Sequence, residues 1–79
     1  SGGYNISPAP SPDGRWLVYV SRTQANQFRL HLMDLASGTH GPLTDGSSDE
    51  SPSFAPNGQF VLYASRARSG TALMVTSLD

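Results

Sequence analysis

Asp49 and Glu50 are adjacent carboxylates, and Asp45 precedes them in the same polar stretch. Such a cluster on a loop could hold a hard cation or a basic partner group. The D-x-D-x-D-G spacing of a calcium loop is absent, so a solvated acidic loop or a partner contact fits the spacing better, and no metal or cofactor is expected. His31 falls in the alternating segment Arg29 to Leu35, and His40 falls in a turn or edge strand. Both read as structural or solvated rather than catalytic. No G-x-S-x-G occurs, so the constrained elbow that presents a nucleophilic serine is missing. There is no cysteine, hence no disulfide and no thiolate metal site. The expected chemistry is binding, and no enzyme activity is expected.

The element that positions the carboxylates is a repeat. Ser7-Pro8-Ala9-Pro10-Ser11-Pro12-Asp13-Gly14-Arg15-Trp16-Leu17-Val18-Tyr19-Val20-Ser21-Arg22 returns 44 residues later as Ser51-Pro52-Ser53-Phe54-Ala55-Pro56-Asn57-Gly58-Gln59-Phe60-Val61-Leu62-Tyr63-Ala64-Ser65-Arg66. Phe28 to Leu35 aligns with Thr71 to Leu78 at a spacing shorter by one residue, the difference falling in a turn. Pro12-Asp13-Gly14 and Pro56-Asn57-Gly58 are hairpin turns, with proline presetting φ and glycine supplying φ > 0. Trp16 to Ser21 and Phe60 to Ser65 are near-continuous apolar runs, the pattern of strands buried on both faces. Arg29 to Leu35 alternates like a half-buried strand. Ser7 to Ser11 is a proline-interrupted strand, Ser51 to Ala55 a better one, and His40 to Thr44 a short fourth strand. Asp45-Gly46-Ser47-Ser48 connects the copies.

A strand-bearing repeat of roughly 40–45 residues is the sequence form of a β-propeller blade. The fold class is therefore all-β. Residues 1–48 are the first four-stranded antiparallel blade with its connecting loop, and 49–79 are a second blade lacking its outer strand. The chain is expected to be a segment of a longer array. The loop at Asp49 and Glu50 precedes the first, channel-lining strand of its blade. Tyr4-Asn5-Ile6 occupies the equivalent place in copy one, so both loops fall on one rim. The repeated aromatics, Trp16 with Phe60 and Tyr19 with Tyr63, are expected to pack between blades. Arg22 and Arg66 read as solvated strand ends.

Composition narrows the partners. The 79 residues carry a formal charge of −1, with five scattered basic residues, which argues against a nucleic-acid surface. No apolar run approaches the roughly 20 residues of a membrane span. Two blades expose the faces meant for neighbours, so self-association is expected, three copies closing a ring being the leading geometry.

The segment Ser51 to Ser65 resembles the WD40-like propeller repeat of the TolB family. Asp49-Glu50-Ser51-Pro52 and Met74-Val75-Thr76-Ser77-Leu78-Asp79 are similar to that family's last repeats. The resemblance implies a periplasmic, soluble component of the Tol–Pal system, with an N-terminal α/β domain and a six-bladed propeller. It implies binding of the lipoprotein Pal on one propeller rim and of TolA through the N-terminal region, and a role in outer-membrane integrity and cell division. It also implies that some colicins use the same rim. By position, Tyr4, Asn5, Ile6, Asp49 and Glu50 are the partner-facing residues. The alternatives are a propeller accessory to a prolyl-oligopeptidase-type serine peptidase, whose S-P-D-G repeats are similar, or a structural segment without a function of its own.

Overall fold

The structure is a computed structural model that describes residues 8–78. Seven strands follow in order: β1 Ala9–Pro10, β2 Trp16–Arg22, β3 Phe28–Asp34, β4 His40–Pro42, β5 Asp49–Phe54, β6 Phe60–Ala67 and β7 Gly70–Ser77. They form a four-stranded sheet, β1-β2-β3-β4, and a three-stranded sheet, β5-β6-β7. Every pairing within the sheets is antiparallel between sequence neighbours.

The hairpin turns form as their sequences dictate. Gly14 and Gly58 take φ of 75° and 74°, the left-handed region that a Cβ disfavours. In the first turn the Ser11 hydroxyl donates to Asp13 Oδ1 at 2.6 Å, and Arg15 N donates to the same oxygen at 3.0 Å. These bonds hold the fully solvated Asp13 carboxyl below its ordinary pKa, the Ser11 bond most. In the second turn Asn57 Oδ1 accepts from Gln59 N at 3.0 Å, so asparagine replaces aspartate without loss of the turn.

Three strands differ from the expectation. β1 keeps only two paired residues, because Pro8 and Pro10 carry no N–H for the ladder. β4 ends at Pro42, after which Leu43 N donates to Leu30 O at 2.8 Å. β5 starts at Asp49, earlier than expected, and its register shifts between Glu50 and Ser53, where Ser51 takes φ of 56°. That bulge turns the chain between its two paired portions.

The core lies between the sheets. Opposed residues share a face, so Val18 and Val20 of β2 stand beside Leu32 and Leu30 of β3. They meet Val61 and Tyr63 of β6. Val18, Leu30 and Val61 are fully buried. β5 is the strand of the second sheet that lies closest to the first, against β1, β2 and β3.

Two packing expectations need correction. The apolar runs of β2 and β6 are not buried on both faces: burial alternates, since each sheet has one neighbour among the described residues. Trp16 and Phe60 are not seam residues of equal standing. Trp16 is half-buried at the end of its strand, with the Arg15 guanidinium 4.9 Å from its ring centroid, while Phe60 is 40% exposed. Phe60 shares its face with Leu62 and Ala64, the face turned away from the first sheet. Tyr63 is buried as expected, whereas Tyr19 is half-buried on the far side of the first sheet.

Candidate functional site

The two ends of the sheets carry different loops. One rim holds the turns that join β1 to β2, β3 to β4 and β5 to β6. The other holds the β2–β3 turn, the connection 43–48 between the sheets, and the β6–β7 turn. Asp49 and Glu50 open β5 on this second rim.

The connection is fastened to both sheets through backbone carbonyls. Phe28 N donates to Ser47 O at 2.9 Å, and Arg66 N donates to Ser48 O at 3.0 Å. Arg29 Nε donates to Gly46 O at 2.9 Å, while its Nη2 donates to Gln27 Oε1 at 3.0 Å. A single guanidinium thus ties the connection to the β2–β3 turn.

Asp49 is placed differently from the expectation. It is only 1% exposed, and its side chain lies on the seam-facing side of β5. Thr44 Oγ1 donates to Asp49 Oδ2 at 2.7 Å and accepts from Leu30 N at 3.0 Å. The hydroxyl therefore relays between a core strand and a buried carboxylate. A Cβ at Gly46 would overlap that carboxylate, so the connection passes it at a point that only glycine leaves open. Asp49, expected to face a partner, is instead buried and braces the connection, because a buried polar group needs a hydrogen-bond partner and Thr44 supplies one.

Glu50 projects the other way. Its Oε2 lies 3.2 Å from Arg66 Nε, with the side chains 41% and 65% exposed respectively. A pair this exposed gains little from its own contact. Both heads can therefore change partners at small cost. The residues Tyr4, Asn5 and Ile6 lie outside the described residues.

Sequence reasoning missed Thr44, Gly46 and Arg29, whose roles depend on the tertiary seam. Arg66 was legible in principle. With Glu50 opposite Ala64, an arginine two positions further on sits diagonally across the hairpin from that carboxylate. An open groove of about 460 Å³ runs beside this rim, lined by Arg29, Thr44, Asp45 and Tyr63 among others. Burial, then the Asp49 and Asp45 charges, push the Tyr63 hydroxyl above its ordinary pKa.

The histidines stand apart from the rim. His40 is exposed at the opposite end of the first sheet. His31 lies against Tyr19, ring centroids 5.6 Å apart. Burial first, then the His40 and Arg29 charges, hold the His31 imidazole below its ordinary value of 6.5. The fold therefore prefers the neutral ring. That contribution is complete above pH 6.5 and is lost as the pH falls through the lowered folded-state value. Thermal midpoints taken from about pH 7 down to about pH 5 should fall less for His31→Asn than for the native chain. Equal falls would place the acid sensitivity elsewhere.

Comparison with known proteins decides the family. The model of the TolB beta propeller domain matches residues 1–79, the whole chain. The chain belongs to the TolB β-propeller family. The Tol-Pal system protein TolB of Xylella fastidiosa is 42% identical over 80 residues, an alignment that takes in 99% of this chain and 18% of that protein. The crystal structure of TolB from Acinetobacter baumannii superposes with a TM-score of 0.83 at 27% identity, covering 98% of this chain and 19% of that one. The chain thus spans under a fifth of the length of these TolB relatives. The propeller domain of the Trilobed protease from Pyrococcus furiosus also superposes, with a TM-score of 0.77. Its 14% identity makes that a likeness of fold alone.

Proposed function

We propose that this chain is a non-enzymatic, protein-binding propeller segment of a TolB protein, acting in the periplasm within the Tol–Pal system. Outer-membrane integrity and cell division are the processes it serves in that reading. The observation that carries the proposal is the family match over the full chain, which includes the loop ahead of β5. The partner surface is the rim that holds the connection between the sheets. Glu50 and Arg66 supply exchangeable charges there, and the groove beside Asp45 and Tyr63 supplies a concave wall. Tyr4, Asn5 and Ile6 join them through the equivalence of the two pre-strand loops. Asp49 takes part indirectly, by fixing the connection. Pal is the proposed partner of this rim, and colicins compete for it. TolA engages the parent protein elsewhere.

Calorimetry of Pal binding to an intact TolB carrying this segment tests the reading. Glu50→Ala should weaken binding by roughly 2- to 10-fold, chiefly through slower association, as expected for an exposed rim charge. Ile6→Ala should weaken it as well, whereas His40→Ala on the opposite rim should bind like wild type. Weakening by His40→Ala alone would place the partner on the other face.

A further inference from the structure

The sequence holds three asparagines, and only Asn57 is followed by glycine; Asn5 precedes Ile6, and Asn26 precedes Gln27. An asparagine carboxamide is open to attack by the backbone nitrogen of the next residue, and glycine, with no Cβ, hinders that attack least. Asn57 is exposed on the β5–β6 turn, with Gly58 at a φ of 74°. Both reacting groups are engaged while the turn is closed. Gly58 N donates to Ala55 O at 2.8 Å, and Asn57 Oδ1 accepts from Gln59 N at 3.0 Å. Attack therefore waits for the turn to open, which at an exposed hairpin end is a local event far cheaper than global unfolding.

The repeat shows what the product looks like. The counterpart of Asn57 is Asp13, whose Oδ1 accepts from Arg15 N at 3.0 Å just as Asn57 Oδ1 accepts from Gln59 N. Asp13 also accepts from Ser11 Oγ at 2.6 Å, and the counterpart of Ser11 is Ala55, so the second turn lacks that hydroxyl. An aspartate at position 57 keeps the backbone bond of the turn and needs no other change.

We propose that Asn57 is a deamidation site, at which the Pro-Asn-Gly turn becomes the Pro-Asp-Gly turn of the first repeat. Gly58 N gives up its proton and attacks Asn57 Cγ. The new C–N bond closes a succinimide, the Cγ–Nδ2 bond breaks, and Nδ2 leaves as ammonia with that proton. Water then opens the ring. Addition at Cγ releases Gly58 N and leaves aspartate. Addition at the backbone carbonyl carbon of residue 57 routes the chain through the side chain and leaves isoaspartate, whose extra backbone methylene lengthens the turn. Either product sets a new carboxylate beside Asp13 on the groove between Trp16 and Phe60.

Intact TolB carrying this segment is incubated in mildly alkaline buffer, beside a synthetic peptide of residues 54–61. Peptide mapping by mass spectrometry follows the conversion of amide to acid at each asparagine. Asn57 should convert first, about ten- to a hundred-fold more slowly than in the peptide, because the turn is closed most of the time. Urea should raise its rate to that of the peptide. The Asn57→Asp variant should keep the native thermal midpoint. Conversion at Asn5 or Asn26 ahead of Asn57 overturns the proposal, as does an Asn57 still intact after several hundred half-lives of the peptide. Conversion as fast in the folded protein as in the peptide overturns the protective part assigned to the two hydrogen bonds. An Asn57→Asp variant that melts well below the native protein would show that the turn does not accept the product.

Discussion

Replacing Leu30 with alanine should lower the stability of the chain by about 2–5 kcal/mol, measured as the shift in urea-denaturation free energy. Leu30 is fully buried, and it is at the centre of the cluster formed with Val18, Val20, Val61 and Tyr63. Its truncation removes apolar area and leaves a cavity bounded by two sheets that are each held by their own ladders. Collapse into that cavity would require one sheet to move against the other. A chain of this size has few kcal/mol to lose, so the variant should be largely unfolded at room temperature. Phe60→Ala, at dilutions where the chain is monomeric, should cost about 1 kcal/mol or less, as expected for a partly solvated ring. Equal costs at the two positions would mean that the seam is not where the structure places it.

Asp49→Ala should cost about 1–3 kcal/mol, because the Thr44 hydroxyl loses its buried acceptor and the connection loses its brace. Gly46→Ala should cost a similar amount for a steric reason, as the added Cβ meets the Asp49 carboxylate. The two effects share one cause, so they should not add. In the Asp49→Ala background the methyl group at position 46 has space, and the second substitution should be close to neutral. The double-mutant cycle should therefore give a coupling of roughly 0.5–3 kcal/mol. Strict additivity would show that the carboxylate does not pack on Gly46.

Much of the fold was legible because it is written twice. The Pro-Asp-Gly and Pro-Asn-Gly turns set the hairpins, and the apolar runs behind them set β2 and β6. What a single blade cannot reveal is which of its faces is covered. Tyr19 and Tyr63 are the same residue at the same repeat position, yet among the described residues only Tyr63 has a sheet in front of it. The burial of Asp49 is hidden from the sequence for a related reason. An acidic residue in a Ser- and Gly-rich stretch looks solvated, and its burial follows from Thr44 and Gly46, which approach it only when the seam closes. Glu50, its neighbour, points to the opposite side because adjacent residues of a strand alternate. One of the adjacent carboxylates is structural, and the other faces the solvent.

Hydrogen exchange on an intact TolB carrying this segment, with and without Pal, tests most directly where the partner binds. Exchange should slow in the connection 45–50 and the β6–β7 turn when Pal is added. Exchange should stay unchanged in the turns at 12–15 and 56–59, which lie on the opposite rim. That rim has its own groove of about 590 Å³ between Trp16 and Phe60, so a rival surface exists to be read in the same experiment. Protection confined to 12–16 and 56–60, with 45–50 exchanging as before, would contradict the assignment of the binding rim.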